Sequence, residues 1–145
     1  MVQTAAEALK ITKIVSDGEH YALIKLPPAA LIAAAGVIAE IGEPFASVML
    51  DRYEVSLIIP SDAFGEFAKR LPGAEKSPRD YRLITFDGDL SPDLVGFMAR
   101  IAAALAEAGV WILPLGAYTR DHLLVPADQF DAAMTALDKL KRSAG

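Results

Sequence analysis

Three aspartates, Asp87, Asp93 and Asp121, sit at turns beside apolar runs, and each has the charge to pair with an ammonium or guanidinium group. Ser91-Pro92-Asp93 reads as a helix start: serine caps, proline suits the first turn and aspartate complements the dipole. The unpaired backbone N–H groups of such an end suit a carboxylate. An acid for a cation and a helix end for an anion describe a small amino-acid-like ligand. His122, followed by Leu-Leu-Val, reads as a packed strand histidine rather than an acid–base group. His20 reads as a solvent-facing strand residue. Tyr118 and Trp111 are pocket-lining candidates, although strand aromatics are usually core.

Catalysis finds little support. The chain has no Gly-x-Ser-x-Gly elbow, P-loop or dinucleotide glycine pattern. It contains no cysteine, so thiolate chemistry, disulfides and Cys-ligated metals are excluded. Its two histidines are 102 residues apart, which matches no metal motif. No catalytic residue, metal or cofactor is assigned. Net charge is −5 and the basic residues are scattered, the reverse of what nucleic-acid phosphates demand. The longest apolar run, Ala29–Ala39, would rise only roughly 16 Å as a helix, about half a hydrocarbon core. No membrane partner and no signal peptide are expected, and the cysteine-free composition fits the cytoplasm.

The elements follow from periodicity and punctuation. Met1–Leu9 reads as a short lead-in and Lys10–Val15 as a strand. His20–Leu26 alternates as a strand, and Pro27-Pro28 leads into a helix ending at Gly42. Phe45–Leu50 and Glu54–Ile59 form a strand pair, a helix runs from Pro60 to about Arg70, and Ala74–Arg79 reads as a polar connection. Tyr81–Phe86 is the next strand. Leu94, Phe97, Met98, Ile101, Leu105 and Ala108 give one apolar helix face, capped at Gly109. Strands over Val110–Leu115 and His122–Val125 and a helix over Pro126–Leu140 complete the chain.

This plan is a duplication. HYALIKL (His20–Leu26) matches DYRLITF (Asp80–Phe86) at an offset of 60 residues, and IAEIG matches LAEAG at 67. IIPSDAF (Ile58–Phe64) matches LVPADQF (Leu124–Phe130) at 66. The jump in offset places a longer loop, Gly88–Leu94, in the second copy alone, and function concentrates in such loops. Each copy reads β-α-β-β-α, which predicts an α+β fold of two ferredoxin-like units, over residues 10–73 and 80–142. Neither copy has a convincing last strand, and Lys10–Val15 is free to complete either sheet, shared or swapped.

The run Gly96, Arg100, Ile101, Leu105, Gly109, Val110 and Ile112 resembles the first helix and second strand of the ACT domain. The tail Ala117–Pro126, with Tyr118, Asp121, His122 and an apolar triplet, resembles tandem ACT proteins related to aspartate-kinase regulatory domains and cytosolic arginine sensors. The resemblance implies a non-catalytic module binding an amino-acid-like ligand where two ACT units meet. Carried over by position, its pocket falls on Gly88–Val95, including Leu90, Ser91, Asp93, Leu94 and Val95, and on Ala117–His122. Gly116-Ala117 stands where the family has Ser-Thr, removing two hydroxyls. The alternative is a dimerisation or protein-interaction module with a degenerate site. A homodimer is expected from open sheet edges, and any signal passes to a separate, unidentified effector protein.

Overall fold

The computed structural model describes residues 3–144, which divide into two compact units. One is continuous, Gly18–Tyr81. The other is split in sequence and joins the N-terminal residues up to Asp17 to the chain from Arg82 onward.

The continuous unit holds strands β2 (His20–Leu26), β3 (Ser47–Leu50), β4 (Val55–Pro60) and β5 (Glu75–Lys76), with helices α2 (Leu31–Ile41) and α3 (Ser61–Phe67). Its antiparallel sheet runs β3-β4-β2-β5, with Tyr21 opposite Pro60 and Leu26 opposite Val55. Alternation decides which face is buried: Ala22, Ile24 and Leu26 join Val55, Leu57 and Ile59 against Ala34 and Val37 of α2. Gly42, at φ +70°, ends α2 in a conformation that side chains resist. The expected polar connection after Arg70 contains β5. Both its residues are exposed, so no apolar alternation marks it.

The split unit begins with helix α1 (Ala5–Ile11) and strand β1 (Lys13–Val15). It resumes with β6 (Tyr81–Asp87), α4 (Phe97–Glu107), β7 (Leu113–Gly116), β8 (Asp121–Pro126) and α5 (Phe130–Ser143). Its sheet runs β7-β8-β6-β1. The N-terminal strand therefore completes the sheet of the second copy, with Lys13 opposite Asp87 and Val15 opposite Thr85. The segment expected as a lead-in is a helix with a capping box: the Glu7 N–H donates to Thr4 Oγ1 at 3.1 Å and the Thr4 N–H to Glu7 Oε2 at 2.9 Å. Ala8 and Leu9 enter a core formed by Ile84, Phe86, Phe97, Ile101, Leu105, Leu123 and Leu137. The Lys141 ammonium donates to the Thr12 carbonyl and holds the segment to α5.

Candidate functional site

The loop after β6 is shaped by what lies beneath it. Gly88 packs on Thr12 so closely that a Cβ there would lie 3.1 Å from Thr12 Oγ1. The Leu90 N–H donates to the Gly88 carbonyl at 3.0 Å and the Thr119 carbonyl at 3.4 Å. The Ser91 N–H donates to Gln3 Oε1 at 3.0 Å. Ser91 does not cap α4. Its hydroxyl accepts the Asp93 N–H at 3.3 Å and its carbonyl the Leu94 N–H at 3.0 Å, which closes a separate turn. The helix starts five residues later than the expected first position, at Phe97, because Gly96 takes a left-handed φ of +88°. No side chain caps it.

The opposite wall is the β7–β8 hairpin. The Ala117 N–H donates to the Arg120 carbonyl at 2.9 Å, and Gly116 pairs with Asp121 in the ladder. Arg120 Nε donates to Asp87 Oδ1 at 2.8 Å and its Nη1 to Thr119 Oγ1 at 3.0 Å. Between loop and hairpin lies a cavity of about 330 Å³, wholly within the split unit. Leu90, Ser91, Pro92, Leu94, Gly96, Phe97, Met98 and Ala99 line one side; Ala117, Tyr118, Thr119, Arg120 and Asp121 line the other.

Of the residues singled out from sequence, Leu90, Ser91, Leu94, Ala117, Tyr118 and Asp121 meet at this cavity. The rest serve around it. Asp87 anchors Arg120, Gly88 seats the loop on Thr12, and Asp93 and Val95 are exposed. His122 shares a 2.9 Å hydrogen bond between its Nδ1 and Thr85 Oγ1. Reading Ser91 as the cap hid the first turn of α4, Gly96 to Ala99, although Gly96 itself was the signal. Arg120 was also passed over, because its partner Asp87 is 33 residues away.

Asp121 is the one charged group at the cavity without a partner: among the described residues its carboxylate has no hydrogen bond or ion pair. Burial holds its carboxyl above the ordinary aspartate value, an effect that the neighbouring His122 charge opposes. Burial likewise depresses the His122 imidazole; Asp121 works against this shift and Arg120 adds to it. Uncapped helix N–H groups and an arginine fork favour an anion, and an unspent carboxylate favours a cation.

In the continuous unit, His20 is half-exposed and its Nδ1 hydrogen-bonds Asp80, whose other oxygen accepts the Ser61 hydroxyl at 2.7 Å. Burial alone would raise the Asp80 carboxyl, but the Ser61 and His20 hydrogen bonds outweigh it and hold it below its ordinary value. The serine donates to the carboxylate rather than to an imidazole base, so this cluster is not an activated nucleophile. Among the described residues no group of His, Asp and Glu side chains is placed to hold a metal. None of their helices is long and apolar enough to cross a membrane.

Residues 76–139 match the family model described as the ACT domain. No curated protein matches the chain in sequence. Solved structures match its fold over nearly the whole length. A Vibrio cholerae protein of unknown function, described as a possible transport protein, is 21% identical with a TM-score of 0.70, covering 92% of each chain. An Agrobacterium tumefaciens protein is 21% identical with a TM-score of 0.71, covering 90% of this chain and 89% of that one. The ligand-free regulatory subunit of aspartate kinase from Thermus thermophilus is 19% identical with a TM-score of 0.69, covering 89% and 97%.

Proposed function

Because the chain is a tandem ACT-domain protein with the fold of aspartate kinase regulatory subunits, we propose that it is a non-catalytic regulatory module. Its ligand is a small amino-acid-like molecule, held in the cavity between the Leu90–Gly96 loop and the β7–β8 hairpin. The observation that carries this reading is the unpartnered Asp121 carboxylate, facing a cavity whose far wall includes the uncapped start of α4. A ligand ammonium at Asp121 relieves a carboxylate that burial disfavours. The ligand carboxylate is taken by the α4 N–H groups and the Arg120 guanidinium. The chain acts as a homodimer and passes its signal to a separate effector protein.

A second reading, an interaction module with a decayed site, is favoured by the exposed apolar groups at the rim, Val95 at 84% and Tyr118 at 96% accessible. A thermal-shift screen against the twenty amino acids separates the two. At 100-fold over its dissociation constant, a binder stabilises by about 2.7 kcal/mol. At about 2–4 °C per kcal/mol for chains of this size, that is roughly 5–11 °C. A shift of that size supports the sensor; a flat response to all twenty overturns it.

A further inference from the structure

Resting on that reading, we infer that the cavity selects an amino acid whose side chain is apolar and of leucine or methionine size. The argument is a count of unspent polar groups. Ser91 uses its N–H on Gln3, its hydroxyl on the Asp93 N–H and its carbonyl on the Leu94 N–H. Thr119 accepts Arg120 Nη1 at its hydroxyl and the Leu90 N–H at its carbonyl. Arg120 has committed Nε and Nη1, and its Nη2 has no partner among the described residues. Among the cavity's side chains, two anchors of opposite sign therefore remain: the Asp121 carboxylate and the Arg120 Nη2 donors. An α-ammonium and an α-carboxylate use both.

Nothing is left for a third polar group. The rest of the wall is Leu90, Leu94, Phe97 and Met98, with Pro92 and small residues between them. A ligand with a polar or charged side chain desolvates it against these groups without a partner, a loss of about ten- to a hundredfold in affinity. The volume of about 330 Å³ is at the small end for ligand sites, which suits an amino acid and leaves no room for a nucleotide.

Gly116 keeps the acidic anchor available. A Cβ built there lies 3.9 Å from Asp121 Oδ1, so a hydroxyl on that carbon reaches the carboxylate and spends it. The glycine thus helps to define the ligand through its neighbour.

The test is isothermal titration of the full chain with pairs of similar shape, leucine against asparagine and methionine against glutamine, with lysine and aspartate as charged controls. The expected result is at least tenfold tighter binding of the apolar member of each pair, and weaker binding still of lysine and aspartate. If asparagine, glutamine, lysine or aspartate binds as tightly as the apolar ligands, the inference is overturned while the amino-acid site stands. If no amino acid binds, the site itself is overturned. Gly116→Ser is expected to weaken methionine binding at least tenfold without lowering the melting temperature. Unchanged affinity in that variant overturns the assignment of Asp121 as the ammonium anchor.

Discussion

Replacing Leu9 with alanine removes a side chain that is 3% accessible and packed in the same core as Phe86, Phe97 and Leu137. Leucine-to-alanine changes at such sites cost about 2–5 kcal/mol, from lost transfer energy and the cavity left behind. Ile11, two residues on in the same helix, is 62% accessible, and its replacement by alanine should stay within about 0.5 kcal/mol of wild type. Trp111 is the chain's one tryptophan and belongs to the split unit, so its fluorescence reports that unit's unfolding. With a urea m-value of about 1.5 kcal/mol per molar, a loss of about 3 kcal/mol moves the Trp111 midpoint down by roughly 2 M. The Ile11→Ala midpoint should move by no more than about 0.3 M on the same scale. If Leu9→Ala behaves like Ile11→Ala, the N-terminal segment is not part of this core and the split-unit architecture is wrong.

Two further variants probe the site's supports. Gly88→Ala should cost about 1–2 kcal/mol in urea denaturation, because the added carbon meets Thr12 Oγ1 at 3.1 Å and Thr12 Cα at 3.4 Å. A neutral or stabilising result would mean that the loop is not seated there. Asp121→Asn should be more stable than wild type at pH 7, with the difference shrinking toward pH 3. The folded-state carboxyl titrates above its unfolded value, so stability is lost as pH rises through the raised value and stays lost above it. Melting curves at pH 3, 5 and 7 check this, and a pH-independent difference contradicts it.

Both ferredoxin-like units were legible because their apolar alternation and turn residues recur, as in HYALIKL and DYRLITF. The N-terminal strand was legible as a strand but not as a partner of β6, since three residues of alternation carry no information about register. Its preceding helix was signalled by Thr4-Ala-Ala-Glu7, which a reading of composition alone passes over. Glu75–Lys76 could not be read as a strand, because an exposed two-residue edge has no buried face to pattern. At the site, Ser91-Pro92-Asp93 has the residue types of a helix cap but closes a turn. The same hydroxyl-to-N–H bond serves both purposes, and only Gly96 downstream distinguishes them. Asp121 was marked by resemblance. That its carboxylate lacks a partner is visible only once the surrounding groups are in place.

The most direct test is to titrate isotopically labelled protein with methionine and follow every backbone amide by NMR. Specific, saturable shifts should fall on residues 90–99 and 116–122 and disappear in Asp121→Asn. Shifts centred instead on the α4–α5 groove around Ala104, Ala132 and Ala136, or unaltered in Asp121→Asn, would contradict the account.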